Sequence, residues 1–103
     1  MTVKTDFGTY EVYLRLYENA DKRRIAHIQL YEMDGQPFAT IAKQLYESVD
    51  APMLYVDTNN CPWAEKFIED NQLGEYTGIS TRSGYCMYPL YAFNLGKLRS
   101  ISR

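Results

Sequence analysis

Hydrophobic and polar residues alternate through the first third of the chain. Every second residue from Tyr10 to Leu16 is large and apolar, while Glu11 and Arg15 lie between them. A period of two is typical of a strand that buries one face and exposes the other. The segment Ala26–Leu30 repeats the alternation after a polar stretch, which predicts a second strand.

The pair Asp34-Gly35 predicts a two-residue hairpin, because both residues tolerate the positive φ angles of a type I′ turn. Such a turn sets four cross-strand pairs: Met33 with Gln36, Tyr31 with Phe38, Leu30 with Ala39, and Ile28 with Ile41. The last three pairs are apolar on both sides, which supports this register. The first three strands are therefore predicted to form a meander.

Helix signals are concentrated in residues 57–74. Pro62 suits the first helical position and follows a run of cap-type residues. Trp63 and Phe67 stand four residues apart and give the segment an apolar face. Gly74 is typical of a glycine C-cap. The sequence therefore predicts one main helix here.

Two further strands are predicted on either side of this helix. The apolar run Met53–Val56 is typical of a short buried strand, and Tyr85–Phe93 is interpreted as a fifth strand. Pro89 cannot donate to a ladder, so the fifth strand is expected to lie at an edge or to be bulged. The polar, glycine-spaced residues 75–84 before it are interpreted as a loop.

Together these elements predict a single α+β domain over residues 1–103. An antiparallel sheet of about five strands is expected to pack against one main α-helix, with residues 96–103 forming a short helix or a loose tail. A length of 103 residues fits one domain.

Charge is nearly balanced overall and uneven along the chain. Eleven Lys and Arg against thirteen Asp and Glu give a net charge of -2, which excludes the broad basic surface of a typical nucleic-acid binder. Residues 44–75 hold seven acids against Lys66 alone, and residues 76–103 hold four bases and no acid. The favoured interpretation is a solvated helix face and a basic tail, and the alternative is an acidic surface that imitates DNA. The chain lacks an apolar run of membrane-spanning length and an apolar signal core, so we expect a cytoplasmic protein without a membrane partner.

Few residues suggest catalysis. Cys61 and Cys86 are interpreted as free thiols in a reducing compartment, although the predicted helix start beside Cys61 allows a reactive thiol as the alternative. His27 is the only histidine and is expected to be structural. No catalytic residue, metal ligand set or cofactor motif is predicted.

Aromatic residues are unusually frequent, with ten tyrosines. The predicted register places four aromatic residues on the outer face of the meander: Tyr13, Tyr17, Tyr31 and Phe38. The favoured expectation is that the C-terminal segment packs on them. The alternative is a platform that stacks single-stranded nucleic acid, with Arg15, Arg23 and Arg24 nearby.

Two motifs suggest a family. The run Val56-Asp57-Thr58-Asn59-Asn60-Cys61-Pro62-Trp63-Ala64-Glu65 is followed by Gly78, Arg82-Ser83-Gly84-Tyr85-Cys86 and Tyr88-Pro89-Leu90-Tyr91. Over about residues 55–95 the chain resembles an uncharacterised family of small bacterial proteins, a domain of unknown function carried on plasmids, conjugative elements and prophages of gut bacteria. The resemblance implies a mobile-element setting and supplies no activity, cofactor or catalytic residue.

We therefore expect a non-enzymatic accessory protein that binds another protein, as a monomer or homodimer. Polar and aromatic residues of the two motifs at element ends are the expected contacts: Asn59, Asn60, Trp63, Arg82, Ser83 and Tyr85. The alternative is a nucleic-acid-associated or DNA-mimicking anti-defence regulator, although nucleic acid is not the favoured partner. A small enzyme or redox protein using Cys61 is the third hypothesis.

Overall fold

One antiparallel sheet forms most of the molecule. The computed structural model describes residues 1–103 and contains seven strands and two helices. The strands are β1 (Thr2–Thr5), β2 (Gly8–Glu18), β3 (Ile25–Glu32), β4 (Pro37–Lys43), β5 (Met53–Val56), β6 (Gly74–Ser83) and β7 (Cys86–Phe93). The helices are α1 (Ala64–Asp70) and α2 (Leu95–Ile101), each of seven residues.

The strand order is β1-β2-β3-β4-β5-β7-β6, and the sheet curls into a half-barrel. Its apolar face holds a core to which both helices contribute buried side chains, including Ile68 of α1 and Leu98 of α2. The prediction of about five strands against one main helix is wrong. The two unpredicted strands are the edge strands β1 and β6, and β6 is largely exposed and therefore lacks the apolar alternation that identifies a half-buried strand.

The predicted helix is much shorter than its sequence signals suggest. Residues 57–63 form turns, and α1 begins after Trp63, which makes no side-chain cap hydrogen bond. At the other end Gln72 adopts the positive φ of 54° that was expected of a capping glycine. Gly74 instead begins β6, where an added Cβ would lie 2.8 Å from the carbonyl oxygen of Ala92. Gly74 thus permits a close approach between strands.

The meander is present, but its second turn differs from the predicted one. The amide of Gly35 donates to the carbonyl of Glu32 at 2.9 Å, and only Gly35 has a positive φ. This is a three-residue loop with a bulge glycine. Compensating irregularities in β3 and β4 leave Leu30 opposite Ala39 as predicted, but they place Tyr31 opposite Pro37 and Ile28 opposite Ala42.

Pro89 lies inside the sheet. Its strand β7 pairs with both β5 and β6, so the edge alternative is wrong. The ladder is irregular at this point, but the extra residues lie in the partner strand β6, between Tyr76 and Ser80, and Ser80 faces Pro89. At this interruption the Thr77 hydroxyl donates to the carbonyl of Leu90 at 2.7 Å. A side chain therefore supplies a hydrogen bond beside the break in the ladder.

The C-terminal residues return to β2. Helix α2 occupies most of the segment for which a short helix or a loose tail was expected. Arg99 pairs with Glu18 at 2.7 Å, and the amide of Leu16 donates to the Ser102 hydroxyl at 2.9 Å. The amide of Arg103 donates to the carbonyl of Leu14 at 3.0 Å. The chain end thus covers the part of the β2 edge that the short strand β1 does not reach.

Candidate functional site

The largest cavity is an open groove of about 890 Å³ lined by aromatic side chains. It lies between the β1–β2 hairpin, the start of β4 and the segment before α1. Its aromatic residues are Phe7, Tyr10, Phe38 and Trp63. Phe7 is 93% exposed at the hairpin tip, so one apolar side chain stands free at the edge of the groove. We call this cavity the aromatic groove.

The aromatic rings of the groove pack in a chain that ends on helix α1. The Phe38 ring lies 5.2 Å from Tyr10 and 5.7 Å from Trp63, and Trp63 contacts Phe67 edge-on at 6.2 Å. The prediction that Phe38 shares the outer face with Tyr31 is wrong, because the register shift beside Leu30 and Tyr31 removes Phe38 from that pairing. A local irregularity in the sheet therefore builds one wall of the groove.

Asp57 fixes the loop that carries the opposite wall. Its buried carboxylate accepts hydrogen bonds from the backbone amide of Asn60 at 3.2 Å and from the Asn60 side chain at 3.0 Å. Lys43 lies 3.3 Å from the same carboxylate. Burial alone would raise the pKa of Asp57, but the hydrogen bonds from Asn60 and the charge of Lys43 outweigh it and lower the pKa. The ionised carboxylate therefore holds Asn60 beside Trp63.

The six predicted contact residues fall into two groups. Asn60 and Trp63 line the aromatic groove, and Asn59 is exposed beside them. Arg82, Ser83 and Tyr85 lie at the β6–β7 hairpin and do not line the groove. The structure thus does not unite the predicted residues in one cavity, and their role as partner contacts stays a prediction.

Sequence reasoning missed three of the four aromatic residues of the groove. Tyr10 was assigned to a core face, Phe38 to the outer face, and Phe7 to no feature. The signal that could have found Phe7 is its place between Asp6 and Gly8, because an exposed aromatic residue in a short turn is an expected contact residue.

The outer face of the meander holds a self-contained aromatic cluster. Tyr13 stacks on Tyr31 with ring centroids 5.3 Å apart, and the hydroxyls of Tyr17 and Tyr31 lie 2.6 Å apart. Arg103 lies over the Tyr13 ring and Arg15 over the Tyr31 ring, at 5.3 and 5.5 Å. Each stacked ring therefore already has a cationic neighbour, and the C-terminal segment contributes Arg103 to the cluster.

Two other buried titratable side chains, Cys61 and Tyr91, contact polar groups within the protein. The Cys61 thiol is buried, approaches the carbonyl of Thr40 at 3.7 Å, and has its pKa raised to about 11 by burial. The Tyr91 hydroxyl donates to Glu65 at 2.7 Å, and its pKa is also raised, first by burial and then by that carboxylate. A protonated, buried Cys61 lacks the features of a nucleophile. No group of three or more His, Cys, Asp or Glu side chains is placed to hold a metal ion.

The chain belongs to the family described as a domain of unknown function, DUF4313, which matches residues 8–103. An uncharacterised domain was expected from two motifs over residues 55–95, and that much is confirmed. Neither a curated protein nor a solved structure matches the chain. None of its helices has the length and apolar character needed to cross a bilayer.

The two cysteines are expected to differ in reactivity. Cys86 is half-buried and Cys61 is buried, so an alkylating reagent should modify Cys86 alone in the folded protein and both cysteines after unfolding. Mass spectrometry of the alkylated peptides measures this. Modification of Cys61 at the rate of Cys86 in the folded state would contradict the assignment of Cys61 to the core.

The Asp57 carboxylate is expected to stabilise the protein in a pH-dependent way. Because its folded-state pKa lies below the unfolded value of about 4, its contribution is present above that pH and is lost as the pH falls through the lowered pKa. Asp57→Asn should therefore lower the free energy of unfolding by about 1–3 kcal/mol at neutral pH. The gap from wild type should narrow below about pH 4.

Urea unfolding over a pH series measures the effect of Asp57→Asn. Glu47→Gln is the matched control, because the exposed Glu47 makes no ion pair or side-chain hydrogen bond. A stability gap that is equally small for both variants at neutral pH would contradict the role given to Asp57.

Proposed function

We propose that the protein is a non-enzymatic binding module that takes an exposed segment of a partner protein into the aromatic groove. The observation that carries the proposal is the open groove itself, with Phe7 almost fully exposed above the packed rings of Tyr10, Phe38 and Trp63. Protein interfaces concentrate their binding energy in a few aromatic residues surrounded by polar ones. The polar rim here comprises Lys4, Asp6, Glu32, Asn60 and Lys66.

The polar rim favours a protein segment over nucleic acid. It contains two lysines and two acids, so it lacks the cationic excess that phosphates require. On the outer face, Arg15 and Arg103 already lie over the stacked tyrosine rings. No specific observation favours the stacking of bases.

Ion pairs within the protein also reduce the number of unpaired charges in the acidic residues 44–75 and in the basic residues 76–103. In the acidic stretch Asp50 pairs with two arginines, Asp57 with Lys43 and Asp70 with Lys66. In the basic stretch Arg99 pairs with Glu18. The DNA-mimic alternative would need these acids free, and it therefore stays a prediction without structural support.

The cellular setting that we propose is that of an accessory protein of a mobile genetic element. Its support is the resemblance of the Asn59–Trp63 and Arg82–Cys86 motifs to proteins of plasmids, conjugative elements and prophages. Gene neighbourhoods of family members test it. Neighbourhoods made up of conserved chromosomal genes would contradict it.

The role of the groove is tested by removing one exposed aromatic side chain. Peptides selected from a random displayed library against the wild-type protein should bind Phe7→Ala about tenfold or more weakly, because a hot-spot side chain contributes at least that factor. Tyr85→Ala is the matched control, since both residues are exposed aromatics at hairpin tips and Tyr85 lies outside the groove. Calorimetry of both variants with the selected peptides measures the affinities.

Three outcomes would contradict the proposal. A library that yields no binding peptide argues against a peptide-binding module. Equal affinity of Phe7→Ala and wild type argues against the groove. Loss of binding in Tyr85→Ala alone would assign recognition to the hairpin that carries Arg82 and Ser83.

A further inference from the structure

A second, smaller cavity extends the aromatic groove along strand β1. It has a volume of about 340 Å³ and is lined by Thr2 and Lys4 of β1 and by residues of the α1 segment, including Phe67 and Asp70. Lys4, Trp63 and Lys66 line both cavities. The two cavities are therefore neighbours along the gap between β1 and α1, and we call this gap the trough.

Helix α1 presents a single face to this trough. The lining residues at positions 63, 66, 67, 70 and 71 follow the spacing of one helical face. Opposite this face, β1 lies at the end of the sheet and has β2 as its only neighbour. A trough bounded by an edge strand and a helix is suited to an extended segment that joins the sheet.

The hydrogen-bond pattern of β1 shows which backbone groups are free. Met1 and Val12 exchange two backbone hydrogen bonds, of 2.8 and 2.9 Å. Hydrogen-bonded pairs alternate along an antiparallel ladder, and the register continues with Val3 opposite Tyr10. The amide and carbonyl groups of Thr2 and Lys4 therefore point away from β2, toward the open edge.

The other edge strand differs from β1 in the continuity of its register. Strand β6 is longer, but a register shift between Tyr76 and Ser80 interrupts it. Bulges of this kind protect edges from further pairing. Strand β1 has a continuous register with β2 over all four of its residues.

We propose that the partner segment adds to β1 as an extra strand in this trough, with an acidic residue opposite Lys4 and apolar residues on either side of it. The inference rests on the proposed function and specifies the chemistry of the partner. Lys4 is exposed while Val3 is buried, so a residue opposite Lys4 lies on the outer side with it. Its two neighbours then face the side of Trp63 and Phe67.

At the one position opposite Lys4, charge complementarity favours an acidic residue. The Lys4 ammonium group makes no ion pair in the protein. Lys66, the other cation common to both cavities, is paired only with the exposed Asp70 at 3.2 Å. Opposite charges directly across a strand pair stabilise the pairing, and like charges weaken it.

Hydrogen exchange tests the backbone part of the proposal with the peptides selected in the groove experiment. Binding should slow exchange of the Lys4 amide about tenfold or more, because that amide gains a hydrogen bond. The Val3 amide is the internal control, since it already faces β2 and should change less. Peptides that bind in a Phe7-dependent manner while the Lys4 amide exchanges at its free rate would overturn strand addition and leave the proposed function standing.

Reversing the charge of Lys4, or of the peptide residue opposite it, tests whether the Lys4 side chain selects an acidic residue. The probes are synthetic peptides with a central Leu-Glu-Leu or Leu-Lys-Leu sequence in otherwise identical valine-threonine backgrounds. The wild type should prefer the glutamate peptide by about two- to fivefold, and Lys4→Glu should reverse the preference. Equal affinities of both proteins for both peptides would overturn the assignment of Lys4. Failure of both probes and of every library peptide to bind would overturn the proposed function as well.

Discussion

The whole structure depends on how two short helices cover the apolar face of one curled sheet. Seven strands enclose that face, whereas α1 and α2 have seven residues each. Burial of Phe67, Ile68 and Leu98 by these helices supplies the apolar contacts that a single sheet layer cannot make alone. Helix α2 and the residues after it cover the β2 edge, while α1 leaves a trough beside β1. The candidate site is the part of the opening that the helices do not fill.

Irregularities of the backbone determine which side chains line that opening. The three-residue loop at Gly35 and the register shift after it separate Phe38 from Tyr31, so that Phe38 packs against Tyr10 and Trp63. The buried carboxylate of Asp57 then fixes Asn60 beside the same rings. Both features hold groove side chains through hydrogen bonds or ring contacts, which reduces the side-chain entropy lost when a partner binds.

Features that repeat over a few residues could be predicted from the sequence. Val12 and Leu14 are buried as the alternation of β2 requires, and Tyr13 faces Tyr31. The helix was overestimated because Asp57 and its neighbours are equally good turn formers, and here the Asp57 side chain bonds Asn60 outside the helix. Strand β6 was missed because an exposed edge strand carries no apolar period.

The candidate site could be predicted only in part, because it joins residues that are distant in sequence. Trp63 and Asn60, which line the groove, were predicted as partner contacts from their local motif. Phe38 could not be, since its neighbours are set by strand order and by the register shift between β3 and β4, whereas the short turn Asp6–Gly8 was a usable signal for Phe7. The β6–β7 hairpin was grouped with Trp63 because its motif is polar and aromatic, yet it does not line the groove.

Trp63 offers the most direct test of the central claim that partners bind between β1 and α1. It is the only tryptophan of the chain and lines both cavities of the trough. We expect its fluorescence emission to shift during titration with a bound peptide, with a midpoint equal to the calorimetric dissociation constant. Saturated binding without any change in Trp63 emission would contradict the account.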